Sequence, residues 1–307
     1  MGNKISVIRN IRVTTGYDCN CKCRYCTQRV THLQDRQPTG KGNQIESLYA
    51  LLKQPHIAKE GTLAIEFEGG EPLLHPEIIR GAVKLCDQLE TDTRDIKYNL
   101  VSNCQLLNSE KGRDLICWLN DRGCKFSIAV SFDHEYKHPR IIRPDTYDFI
   151  KHCGASFVYP VYVIENKRLL NRARANIQFL NDMGLTPIVY WNFFAYKELN
   201  DISVRREYLS FLKETKNLNR GGIGFNGSIQ SCGWVGITPY GKFYSCSEAN
   251  FGEADLSKVA ELDNGVCRDC KIKDYCGQCE VRKALYGKDL CGIAKVQYAL
   301  ETDSEVE

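Results

Sequence analysis

The sequence lacks any apolar run long enough to span a membrane, and the opening MGNKISVIRN has no hydrophobic core of a signal peptide. It also lacks an excess of charge. Its 41 basic and 38 acidic residues leave a net +3, so a strongly electrostatic nucleic-acid or membrane-surface binder is not expected. No internal repeat or low-complexity block stands out. MGNKIS fits the short N-myristoylation pattern, which is frequent by chance and carries no argument here. What remains is an ordinary globular composition, 43% hydrophobic and 26% charged over 307 residues, enough for one large domain and a smaller appendage.

Cysteine is the outlier. Of 16 cysteines, four lie within Cys19–Cys26 and seven between Cys232 and Cys291, leaving five outside the two clusters. A secreted disulfide scaffold would be shorter and follow a signal sequence. Clustered thiols without one point to bound metal in a reducing compartment, and the expected location is cytoplasmic.

The first two-thirds of the chain alternates β-branched runs with amphipathic stretches. Strands are predicted at 6–14, 62–67, 96–101, 125–132, 156–164 and 185–192, and helices at 43–54, 77–90, 109–121, 144–153, 168–183 and 203–216. Pro76 and Ser109 mark helix starts, and Gly184 closes a helix. Six strand–helix units predict an α/β fold with a parallel sheet curved into a partial (β/α)6 barrel, with chemistry at the C-terminal ends of its strands. The pattern breaks at Asn219-Arg220-Gly221-Gly222, where a cysteine-rich C-terminal domain of little core begins. The expected division is residues 1–220 and 221–307.

Cys19, Cys23 and Cys26 follow the first strand with the spacing C-x3-C-x2-C, and the aromatic Tyr25 precedes the third. Three thiolates on one loop suit three irons of a [4Fe–4S] cube and leave the fourth iron open. Cys21 offers a fourth sulfur for zinc instead, although Cys19-x-Cys21-x-Cys23 is tight for tetrahedral ligation. After the second strand comes Glu68-Gly69-Gly70-Glu71-Pro72.

Together these two motifs resemble the radical S-adenosylmethionine (SAM) superfamily. The resemblance implies a [4Fe–4S] cluster on Cys19, Cys23 and Cys26 that binds SAM through its open iron. Reductive cleavage of SAM then yields a 5′-deoxyadenosyl radical that abstracts hydrogen from an unactivated C–H bond. It further implies cofactor contacts at Tyr25, at Gly69, Gly70 and Glu71 near the SAM amino group, at Ser102 and Asn103 near its ribose or carboxylate, and at Ser131 and Asp133. An electron donor such as flavodoxin or ferredoxin is an implied partner.

Cys104 stands where relatives often have glycine, and the resemblance makes it a candidate hydrogen donor to a substrate radical. Cys86, Cys117 and Cys153 read as small buried hydrophobes. The second cluster comprises Cys232, Cys246, Cys267, Cys270, Cys276, Cys279 and Cys291. It resembles the SPASM extension of the superfamily, which holds two auxiliary [4Fe–4S] clusters. Cys232, Cys246 and Cys279 would serve one, and Cys267, Cys270, Cys276 and Cys291 the other. The x2 interval between Cys276 and Cys279 departs from the usual x3, and a zinc knuckle over Cys267–Cys279 is the alternative.

Glu66 and Glu68 alternate with Ile65 and Phe67, so both carboxylates share one face of the second strand, predicted to point inward. Glu68 is a candidate grip for a substrate amine or hydroxyl; pairing with an arginine such as Arg140 or Arg143 is the competing reading. His75 beside Pro76 reads as a turn residue. Many enzymes with this extension modify ribosomally made peptides, so oxidative modification or cross-linking of a peptide is the leading expectation. The early position of Cys19 leaves no room for a peptide-recognition domain before the barrel. That keeps alive oxidation or epimerisation of a small molecule such as an amino sugar or aminocyclitol. A zinc-binding interaction protein is the non-enzyme alternative, which leaves the Gly-Gly-Glu-Pro stretch without a role.

Overall fold

The computed structural model describes residues 7–23, 26, 43–55, 57–89, 93–132, 143–164, 166–182, 184, 185, 187–191, 198–214, 234–244, 295, 296 and 299. Six strand–helix units follow one another as expected: β1 (Asn10–Thr14) and α1 (Gln44–Leu52), β2 (Glu60–Glu68) and α2 (Pro76–Asp87), β3 (Thr93–Ser102) and α3 (Glu110–Asp121), β4 (Phe126–Phe132) and α4 (Pro144–His152), β5 (Phe157–Ile164) and α5 (Leu170–Asp182), and β6 (Ile188–Trp191) and α6 (Ile202–Glu214). Two short strands, β7 (Trp234–Ile237) and β8 (Phe243–Tyr244), come later. The fold is the expected α/β class, its strands paired in parallel except for the β7–β8 hairpin.

The chain divides into two compact units, residues 1–158 with 233–251, and residues 159–232 with 252–307. Residues 233–251, placed by sequence in the second domain, therefore belong with the first unit. The physical reason is pairing: β7 adds in parallel to β1, with Ile11 opposite Val235 and Val13 opposite Ile237. In this unit the strands run β4-β3-β2-β1-β7-β8. In the second unit β5 and β6 pair in parallel, Val161 opposite Ile188.

Local chemistry sets the boundaries. Pro76 occupies the first position of α2, where a missing N–H costs nothing. The Ser109 hydroxyl accepts the Gly112 N–H at the start of α3. Gly184 takes φ +72° after α5 and donates to Asn181. β1 is shorter than expected because Ile8 makes only an isolated bridge to Ile57. The helix expected from residue 168 opens instead as a 3₁₀ turn over Lys167–Leu169, which the Asn166 side chain caps.

The two faces of the first unit's sheet differ. Ile11 and Val13 of β1 and Leu63, Ile65 and Phe67 of β2 are buried to 1% exposure or less. Beside them Arg12 of β1 and Glu66 and Glu68 of β2 are polar and half-buried. Cys86 and Cys153 are buried as expected, whereas Cys117 is exposed, because the buried side of α3 is Leu115, Ile116 and Leu119. Among the described residues no helix is long and apolar enough to cross a membrane.

Candidate functional site

The polar face carries a cross-strand rung. Arg12, Glu66, Asn99 and Ser127 stand directly opposite one another on β1, β2, β3 and β4. Arg12 binds Glu66 at 2.6 Å, Asn99 donates to the other Glu66 oxygen at 2.7 Å, and Ser127 donates to Asn99 at 3.0 Å. Arg12 also lies 3.3 Å from Glu68. The shared face expected for Glu66 and Glu68 is present, and Arg12 of β1 is a cation beside both. Arg143 instead donates to the Asn108 carbonyl, and Arg140 lies outside the described residues.

Beyond the strand ends the β1–β2 ladder continues as a backbone zipper. Thr15 donates to Glu68 at 2.8 Å, Gly70 to Gly16 at 2.9 Å and Glu71 to Asp18 at 2.9 Å. This contact explains the paired glycines. A Cβ on Gly70 would sit 1.9 Å from the Asp18 carbonyl oxygen, and one on Gly69, at φ +142°, would sit 2.3 Å from that of Gly16. The close approach is thus to the cysteine loop itself. His75 adds a side-chain tie, its Nε2 2.7 Å from Asp18 Oδ1, which fits its reading as a turn residue.

Glu71 closes the next connection. Its side chain is wholly buried. Oε1 accepts Ser102 Oγ at 2.6 Å and the Leu73 N–H at 3.1 Å, while Oε2 accepts the Asn103 N–H at 2.8 Å. Ser102, itself buried, also accepts the Cys104 N–H at 2.9 Å. The side chains of Glu71 and Ser102 therefore bind each other. The resemblance assigns both to SAM; in the fold they couple the loop after β2 to the loop after β3.

Asn103, 3% exposed, reaches the cysteine loop, with Nδ2 2.8 Å from Asn20 Oδ1 and 3.8 Å from Cys19 Sγ. The Cys21 N–H donates to Cys19 Sγ at 3.3 Å. Hydrogen bonding from Cys21 holds the Cys19 thiol below its ordinary range, against the opposing effect of burial. The Cys26 N–H turns back onto the Cys23 carbonyl. Cys21 directs its thiol to Gln105 Oε1 at 3.4 Å.

Among the described residues no three His, Cys, Asp or Glu side chains converge on a common point, as one metal ion would demand. A cubane's corners spread its ligand sulfurs apart. The soft, thiolate-favouring donor set of Cys19, Cys23 and Cys26 fits an iron–sulfur cluster.

Other expected site residues fare differently. Cys104 is fully buried in a left-handed backbone conformation, φ +57°, and its thiol donates to the Ser102 carbonyl. Ser131 is half-buried near the end of β4. Tyr25, Asp133 and the seven cysteines Cys232, Cys246, Cys267, Cys270, Cys276, Cys279 and Cys291 lie outside the described residues. Sequence reasoning missed Arg12, Asn20 and Gln105. Arg12 alone carried a readable signal, since strand alternation puts it opposite the buried Ile11 and Val13.

Residues 13–156 match the Radical SAM superfamily. Among curated proteins none matches the chain by sequence. Solved structures resemble it in fold: native anSMEcpe with bound AdoMet, at TM-score 0.62 and 14% identity, covers 96% of this chain and 97% of its own. The same protein with AdoMet and the Cp18Cys peptide gives 0.60 and 15%, over 93% and 98% of the two chains. SuiB of Streptococcus suis gives 0.50 and 15%, over 91% and 72%. Residues 13–156, which carry the cysteine loop zipped to Gly69-Gly70-Glu71, form a Radical SAM superfamily domain.

Proposed function

We propose that the chain is a radical SAM enzyme that oxidatively modifies or cross-links a peptide, with Cys19, Cys23 and Cys26 as the ligands of its [4Fe–4S] cluster. The observation that carries this reading is the backbone zipper between residues 15–18 and 68–71. It fixes the cysteine loop beside Asn103 at the C-terminal ends of β1, β2 and β3. When bound there, the cluster and SAM supply a 5′-deoxyadenosyl radical for abstraction of a C–H hydrogen. Gly69 and Gly70 are assigned the wall beside it. Ser131 and Asp133 are assigned to the cofactor side on the family pattern alone, as is Tyr25.

Glu68 ends β2 with its side chain about one-fifth exposed and with Arg12 beside it. We assign it to a substrate amine or hydroxyl. A peptide substrate is supported by the fold likeness to a protein solved with both AdoMet and a peptide. Oxidation is favoured over epimerisation because the Cys104 thiol is sealed from solvent and engaged by the Ser102 carbonyl. A hydrogen donor must meet the substrate radical directly. The cysteine-rich region 221–307 is assigned two auxiliary clusters that could accept the substrate's electron, and a flavodoxin or ferredoxin the role of electron donor.

Anaerobic iron, sulfide and zinc analysis after reconstitution tests the cofactor assignment. Three cubanes give about twelve irons per chain. Stoichiometric zinc with little iron would end the enzyme reading. Combined Cys19→Ala, Cys23→Ala and Cys26→Ala substitution should remove one cluster and all SAM cleavage.

A further inference from the structure

Cys19 Sγ receives a side-chain N–H from another loop, and the residue that supplies it is held by a closed ring of amides. The Gln105 backbone N–H donates to Asn103 Oδ1 at 3.0 Å. A backbone N–H can only donate, so the Asn103 oxygen must face Gln105 and its NH₂ must face the cysteine loop. That NH₂ reaches Asn20 Oδ1 at 2.8 Å and Cys19 Sγ at 3.8 Å. Asn20 then presents its own NH₂ to Gln105 Oε1 at 3.1 Å, which completes the ring. The Asn103 backbone is pinned separately, through its N–H on the buried Glu71 carboxylate. Each amide orientation follows from the one before it, and only one arrangement satisfies them all.

We propose that Asn103 is a positioning residue for the cluster ligand Cys19 and sets the cluster's reduction potential through its N–H···S bond. This rests on the reading of Cys19, Cys23 and Cys26 as cluster ligands. An N–H directed at a ligating sulfur draws electron density from the thiolate and stabilises the more negative, reduced cluster. Removing it makes the cluster harder to reduce. The Asn103 amide already has partners at both its oxygen and its nitrogen, so its role is toward the cysteine loop rather than toward SAM.

The test compares reconstituted wild type with Asn103→Ser, by EPR-monitored redox titration of the signal that changes when SAM is added. Serine keeps a side-chain oxygen for the Gln105 N–H but cannot reach Cys19. At fixed applied potential the ratio of reduced to oxidised cluster is expected to fall about tenfold, a shift of about 59 mV for one electron. SAM affinity, measured by equilibrium dialysis, is expected to stay at the wild-type value. An unchanged midpoint overturns the proposal, and an unchanged midpoint with lost SAM affinity makes Asn103 a SAM contact instead. If Asn103→Ser takes up no iron, Asn20→Ala provides the second reading. It loosens the amide ring while keeping all three ligand cysteines, and should move the midpoint in the same direction by less; no movement there overturns the proposal. Wild type that assembles no iron cluster at all would refute the cofactor assignment, an outcome distinct from each of these.

Discussion

Substituting Glu71 tests whether the loops after β2 and β3 are held together as the structure shows. Its buried carboxylate accepts three donors: Ser102 Oγ–H, Leu73 N–H and Asn103 N–H. A buried donor left without an acceptor costs about 1–3 kcal/mol. Glu71→Ala orphans all three and leaves a cavity, so a loss of about 3–6 kcal/mol is expected after some water enters. Glu71→Gln is the sharper probe. It keeps the shape and one oxygen, which can serve Ser102 and Leu73. Its NH₂ must then face the Asn103 N–H, donor against donor, for about 2 kcal/mol. Amide hydrogen exchange in the anaerobic, reconstituted protein reads this locally. Opening at Asn103 should become about thirtyfold more populated, since 1.4 kcal/mol is tenfold. Exchange at Asn103 within twofold of wild type would refute the hydrogen-bond assignment. Loss of SAM affinity without faster exchange would show that Glu71 contacts SAM itself.

Two further perturbations test other parts of the fold. Arg12→Met removes the cation that bridges Glu66 and Glu68; because the group is partly solvated, the cost should be about 2 kcal/mol in equilibrium unfolding, and Glu66→Gln should recover part of it in a double-mutant cycle. Burial pushes the Tyr147 phenol up to about 12. An unfolded tyrosine ionises near 10, so the unfolded chain releases its proton first, and Tyr147 destabilises the fold progressively from about pH 10 to about pH 12. Tyr147→Phe should flatten that limb of the alkaline unfolding curve, and an unchanged slope would contradict the burial.

Strand–helix order was legible because each element carries its own local signal: Pro76, the Ser109 hydroxyl and Gly184 act within a turn of where they stand. The register of β2 was legible too, since Ile65 and Phe67 against Glu66 and Glu68 admit one inward face. Pairing partners were not. Arg12 and Glu66 are 54 residues apart, and nothing local tells a carboxylate on β2 that its cation is on β1. Only the parallel register, Arg12 opposite Glu66, decides it. The same limit hid β7, whose four residues carry too little pattern to announce that they extend β1. At Cys104 the sequence did show a departure, a cysteine where a glycine is usual. The structure gives its meaning, a left-handed backbone that glycine would adopt without strain.

The candidate site shows why motif residues are poorly assigned by spacing alone. In Gly69-Gly70-Glu71 each residue has a partner inside the protein: the glycines meet Gly16 and Asp18, and the glutamate meets Ser102 and Asn103. A residue type demanded by such internal contacts carries the same sequence signature as one demanded by a cofactor. The two are separated by asking what the polar atoms already bind. By that criterion Glu71 and Ser102 organise the site, Asn103 addresses Cys19, and Glu68 lies partly exposed at the end of β2 beside Arg12. The stretch after β2 therefore acts on the cysteine loop first, and whatever it presents to a bound molecule it presents through backbone that those buried contacts hold in place.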